Sequence, residues 1–114
     1  MDATELTLLY DYYGSLLTDR HKECFEFRYN EDLSLGEIGD ELGISRQGVY
    51  DNLNRTEQLL KNMEQKTGCV RRDIQCRKTT QVILKLAREL AEHQDEHVSV
   101  IAKQILSAAQ GLEE

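Results

Sequence analysis

An all-α fold is predicted by three features of this 114-residue chain: it has no proline, only seven glycines, and apolar residues that recur at helical spacing. Without proline, little besides glycine and capping residues can stop a helix. The length suits one domain, or one domain with a helical extension. We place a helical domain over residues 1–66 and a helical C-terminal extension over residues 67–114.

The first helix is expected from about Ala3 to Leu17, with Leu6, Leu9, Tyr13, Leu16 and Leu17 on one side. Thr18 can cap a second helix that ends near Tyr29 and packs through Cys24, Phe25 and Phe27. Asn30, Glu31 and Asp32 form a polar connection. The run SLGEIGDELGISRQGVYDNL, residues 34–53, then reads as two helices across a sharp turn, the helix-turn-helix. Ser34 and Glu37 have the spacing of a capping box, and Leu35, Ile38 and Leu42 share a face. Gly43 stands where a left-handed residue ends the helix. Ile44 fills the corner, Ser45 caps the next helix, and Val49 and Leu53 point back at the first. Gly39 is placed at the helix crossing, where only a small residue permits close approach. A winged-helix-like character is also expected of the motif.

Beyond Gly48 in its first turn no breaker follows until Gly68, so the second helix of the motif runs past Leu59, Leu60 and Met63. The pattern resumes with Val70, Ile74, Val82, Ile83, Leu86 and Leu90. A polar interval, His93–His97, precedes a last helix carrying Val98, Ile101, Ile105, Leu106 and Ala109. These stripes must be buried, either on the N-terminal core or on another copy. A homodimer built by the C-terminal helices is expected, since two-fold dimers are the commonest oligomers.

Charge is unevenly placed. The net charge is −7, yet residues 61–90 hold 8 bases and 3 acids, against 5 bases and 13 acids in residues 1–60. The positive charge therefore lies behind the helix-turn-helix, and the motif itself is acidic. Non-specific DNA affinity depends on lysines and arginines meeting phosphates.

Other classes are excluded by what the residues lack. The N-terminus has no basic region and long apolar core, so no signal peptide is expected, and no apolar run is long enough to span a membrane. A cytoplasmic protein is the expectation. Cys24, Cys69 and Cys76 show no zinc-ligand spacing, and reduced thiols are expected. His93 and His97 stand four apart, as metal ligands can, but without a third ligand a solvated helix face is the reading. No phosphate-binding glycine loop or nucleophile motif occurs, so no catalytic residue, cofactor or metal is assigned.

Two resemblances follow from these residues. LTDRHKECFEFRYNEDLSLGEIGDELGIS, residues 17–45, resembles region four of bacterial sigma factors, which implies a sigma region four-like helix-turn-helix domain followed here by long C-terminal helices. LYDYYGSLLT (9–18), DLSLGEIGDELGISRQGVYDNLNRTEQLL (32–60) and the chain length resemble the YlxM family of small bacterial proteins. The most specific piece is SRQGVYDN, because Tyr50, Asp51 and Asn52 are not demanded by helix-turn-helix packing. That resemblance implies a non-enzymatic accessory or regulatory role in the signal recognition particle pathway, through the particle's protein or its RNA.

Two candidate surfaces follow. On the motif, Ser45, Arg46, Gln47, Tyr50, Asn54 and Arg55 are nucleic-acid-binding candidates, since Arg suits guanine and Gln or Asn suits adenine in the major groove of double-stranded DNA. Asp51 on the same face would repel phosphates. The alternative is a solvated polar face. Behind the motif, Lys66, Arg71, Arg72, Arg77 and Lys78 form a basic-patch candidate for RNA, DNA or an acidic protein, or a charged helix face paired with the chain's own acids. A DNA-binding transcriptional regulator is the competing function. Tyr10, Tyr12 and Tyr13 are read as packing and interface residues.

Overall fold

The computed structural model describes residues 2–113. Among them are six α-helices and no strand: α1 (Ala3–Tyr13), α2 (Asp19–Tyr29), α3 (Leu35–Leu42), α4 (Arg46–Thr67), α5 (Cys69–Ala91) and α6 (Glu96–Gln110). The all-α class is as expected. A wing is a β-hairpin, so the winged-helix-like expectation is corrected. The chain divides into two compact units, Met1–Val70 and Arg71–Glu114. The division falls four residues beyond the 66/67 boundary read from the sequence, because Val70 is buried in the core of the first unit.

In the first unit, α4 packs against α1, α2 and α3, and α2 packs against α3. Leu6, Leu9, Tyr13, Leu17, Phe25, Leu60 and Val70 form one buried cluster. Tyr10 stacks on Phe25 within it, ring centroids 4.1 Å apart. Cys24, Ile38 and Val49 form a second, flanked by Leu35, Leu42, Ile44 and Leu53. α1 stops at Tyr13 and continues as a 3-10 turn, Gly14–Leu16, rather than running to Leu17. The tighter winding takes Leu16 off the apolar stripe and leaves it 69% exposed, which corrects its expected place in the core.

The helix-turn-helix is assembled by local chemistry. Ser34 Oγ accepts the Glu37 amide and the Glu37 carboxylate accepts the Ser34 amide, each at 3.1 Å, completing the capping box. Gly43 takes φ 69°, the left-handed conformation that ends α3. Ser45 Oγ accepts the Gly48 amide at 3.0 Å and caps α4. Gly39 is required by the turn itself: a Cβ there would stand 2.7 Å from the Ile44 carbonyl oxygen.

The hydrogen bonds from Ser34, backbone first and then side chain, hold the Glu37 carboxyl below its usual range. A folded value below the unfolded one means this stabilisation is present above the unfolded value of 4.5 and is lost as pH falls through the folded value. Amide exchange in α3 is expected to accelerate on acidification in the wild type. In Glu37→Gln, which keeps an acceptor but does not titrate, that acid dependence is expected to shrink. Identical acid profiles for the two proteins would refute this account.

In the second unit, Asp95 caps α6 by accepting the amides of His97 (2.9 Å) and Val98 (3.3 Å). Ser99 Oγ donates to the Ala91 carbonyl at 2.8 Å, and Gln81 Nε2 donates to Glu113 at 2.5 Å. Residue 91 thus meets 99 while 81 meets 113, so α5 and α6 form an antiparallel hairpin. His93 Nδ1 accepts the Asp95 amide at 3.0 Å within the connecting turn. Among the described residues no helix is long and apolar enough to cross a membrane, and no three metal-ligating side chains come together.

Candidate nucleic-acid interface

α4 carries both the base-reading candidates and the means of holding them. Val49, Thr56 and Leu60 are buried along one side. With about 100° per residue, that burial turns Gln47, Tyr50, Asp51 and Asn54 toward solvent. Ser45, Arg46, Gln47, Tyr50, Asn54 and Arg55 are all exposed. Arg46, Gln47 and Tyr50 come together with Leu35 of α3 around a shallow depression. Arg55 lies about one helical step away from Asn54 and belongs instead to an open groove with Gln58, Leu59, Lys61, Asn62 and Gln65. The six candidates are therefore two groups on one helix.

Several of these groups are already engaged. Ser45 Oγ serves as the α4 cap. Gln47 Nε2 donates to Asp51 Oδ1 at 2.9 Å, one turn on, so the amide best placed to read a base is held by the acid that would repel phosphate. The first unit holds 14 acids against 7 bases.

Asn52, part of the most specific run in the sequence, faces inward. Thr56 Oγ1 donates to the Asn52 carbonyl at 2.9 Å, which leaves it an acceptor for His21 Nδ1 at 2.8 Å. His21 Nδ1 also lies 3.3 Å from Asn52 Oδ1. His21 thus carries its proton on Nδ1 and ties α2 to α4 beside the fully buried Thr56. Sequence reasoning missed this triad because His21 lies 31 and 35 residues from its other two members. It also missed Arg20, whose Nη1 donates to the Leu42 carbonyl at 3.4 Å and brings a cation to the end of α3.

The basic-patch residues are distributed over both units. Lys66 lies on α4, whereas Arg71, Arg72, Arg77 and Lys78 lie on α5. Adjacent residues on a helix point about 100° apart, so Arg71–Arg72 and Arg77–Lys78 do not share a face. A seven-residue spacing instead aligns Arg71, Lys78 and Lys85, all exposed. Arg77 pairs with Asp73 at 3.2 Å, and Lys61 on α4 pairs with Glu57 at 3.7 Å, both one turn away.

Comparison with known proteins agrees with this architecture. A family described as "UPF0122: Putative helix-turn-helix protein, YlxM / p13 like" matches residues 1–105. A UPF0122 protein of Thermoanaerobacter sp. strain X514 is 56% identical over 71 residues, which are 62% of this chain and 61% of that protein. One from Caldanaerobacter subterraneus is 55% identical over 71 residues, again 61% of its length. The chain thus spans about three fifths of these two relatives. A UPF0122 protein of Bacillus mycoides is 37% identical over 111 residues, covering 97% of this chain and 96% of that one. This chain belongs to the UPF0122 family of YlxM/p13-like helix-turn-helix proteins.

Proposed function

We propose that the protein is a non-enzymatic accessory or regulatory component of the bacterial signal recognition particle pathway, acting in the cytoplasm. It binds the particle's protein, its RNA or both through the cationic stripe of α5. The observation that carries this reading is the placement of charge: the helix-turn-helix unit is acidic, while Arg71, Lys78 and Lys85 line one side of a separate helix. Phosphate contact releases counterions, so such a stripe acts without aromatic stacking. No Phe, Tyr or Trp follows Tyr50.

The second reading is a DNA-binding regulator. The exposure of Arg46, Gln47 and Tyr50 at the start of α4 favours it, because recognition helices contact base edges there. One comparison separates the two. Lys78→Glu/Lys85→Glu is expected to weaken association with particle protein and RNA by about 10- to 100-fold, whereas Arg46→Ala/Gln47→Ala leaves it unchanged. Loss of duplex-DNA binding in the second variant, with particle association intact in the first, would replace the leading reading with the alternative.

A further inference from the structure

We infer that the groove between α1 and the end of α2 is a docking site for a cationic amphipathic helix of a partner protein. This goes beyond the proposed function and does not rest on it, because it uses neither α5 nor the start of α4. The groove is open and holds about 540 Å³. Ala3, Thr7 and Leu8 line it from α1 and Tyr29 from α2, together with the carboxylates of Glu5 and Asp11.

Its surface is apolar where the core does not require it. Leu6, Leu9 and Tyr13 commit one side of α1 to the interior. Leu8 is turned about 200° from Leu6, on the opposite side, and is 36% exposed. Thr7 Oγ1 donates to the Ala3 carbonyl at 2.7 Å, so its hydroxyl is satisfied within the helix and its methyl group is the contact left over. Tyr29 is also 36% exposed. Its ring leans on Phe25, centroids 4.5 Å apart, and Phe25 stacks in turn on Tyr10. An aromatic surface held in this way is already ordered before binding, which removes one of the costs of association.

Charge identifies the occupant. No lysine or arginine precedes Arg20, whereas Asp2, Glu5, Asp11 and Asp19 do. Other acids of the unit are engaged, Glu26 by the Asn30 side-chain amide and Glu57 by Lys61. Glu5 and Asp11 form no ion pair among the described residues. Two such carboxylates beside an apolar surface repel phosphates and acidic peptides and attract lysine or arginine. The exposed face of Tyr29 attracts the same cations. There is no strand among the described residues to pair with an extended segment. A helix suits the groove instead, with apolar side chains one turn apart against Leu8 and Tyr29 and basic ones beside Glu5 and Asp11.

The probe is a helical peptide of leucine and lysine, its leucines along one face, titrated into the isotopically labelled full chain. Amide shifts are expected in α1 and at Tyr29 and Asn30, and none in α3. Leu8→Ser is expected to weaken binding about tenfold, as loss of a buried leucine does. Glu5→Lys/Asp11→Lys is expected to weaken it about tenfold or more, while Asp40→Lys/Glu41→Lys, the same change of net charge on α3, stays within about twofold of wild type. All five side chains are exposed, so helix content by circular dichroism should not change. A peptide with the same lysines and serine for leucine is expected not to bind. Equal losses in the two charge-reversed proteins would overturn the inference, since attraction would then be diffuse. So would unaltered affinity in Leu8→Ser, or shifts confined to other helices. Self-association of the chain that Leu8→Ser abolishes would overturn it too, giving the groove to a second copy.

Discussion

Replacing Tyr13 with alanine is expected to destabilise the helix-turn-helix unit by about 3–5 kcal/mol, the range for deleting a buried aromatic ring. Tyr13 is only 6% exposed, and its hydroxyl anchors the far end of α4. It donates to Glu64 Oε1 at 2.6 Å. Its single proton is thereby committed, so the Thr67 hydroxyl, 2.7 Å away, donates to it. Glu64 Oε1 also accepts the Val70 amide at 3.0 Å, so one carboxylate joins α1, α4 and the first turn of α5. Tyr13→Phe keeps the ring and removes the hydroxyl. Its expected cost is about 1–2 kcal/mol, because Glu64 retains the Val70 amide. Denaturant unfolding of both variants separates ring from hydroxyl, and a Tyr13→Phe protein as stable as the wild type would show that the hydrogen bonds contribute nothing.

The same residue sets an alkaline limit. Burial, and then the hydrogen bond to Glu64, raise the Tyr13 phenol above its ordinary 10. Tyr10 is pushed up to about 12 by burial and by its hydrogen bond to Glu26. Folding favours the neutral phenol in both cases, so stability is intact below pH 10. It falls as pH rises from 10 through the folded values, because only the unfolded chain ionises there. Tyr13→Phe is expected to lose less stability than wild type over that window.

Gly39→Ala is expected to cost about 2–3 kcal/mol, as overpacking in a well-filled site does. For a unit of this size that lowers the melting temperature by roughly 10–20 °C. The new Cβ would stand 2.7 Å from the Ile44 carbonyl oxygen and 3.6 Å from the Arg46 amide nitrogen. Both are backbone atoms of the turn, and that turn is held by the Ile44 amide donating to the Gly39 carbonyl at 3.0 Å. Neither atom can swing aside as a side-chain tip would. Gly36→Ala, three residues earlier in the same helix, is the control. Its nearest neighbour would be Ser34 Oγ at 4.0 Å, so the gain in helix propensity is expected to stabilise by about 0.5–1 kcal/mol. If both alanines act alike, the close-approach account of Gly39 is wrong.

The motif could be read from the chain because its determinants are local. Ser34 and Glu37 cap each other across three residues, and Gly43 turns where only glycine turns easily. Gly39 was placed at the right position for a slightly different reason, since the atom it must clear belongs to the turn rather than to the facing helix. The early end of α1 had a signal in Gly14, but one glycine does not say whether a helix stops or tightens. Asn52 was unreadable. Its value lies in meeting His21 on α2, and nothing near it in sequence distinguishes an inward amide from an outward one.

For the C-terminal helices, periodicity established that α5 is amphipathic without choosing its buried side. Thr80, Leu84 and Ala87 mark one arc, while Ile83, Leu86 and Leu90 mark another. The larger side chains point to the second, and the hairpin with α6 buries the first.

What the sequence determined by itself was the helical class, the caps and turn of residues 34–53, and the separation of charge along the chain. Each depends on conformational limits or composition within a few residues. Only the tertiary structure decided that Asn52 and Thr56 face His21, that Val70 belongs to the first core, and which arc of α5 is buried. Those outcomes depend on contacts between residues tens of positions apart, where the geometry of packing selects among faces that local preference leaves equivalent.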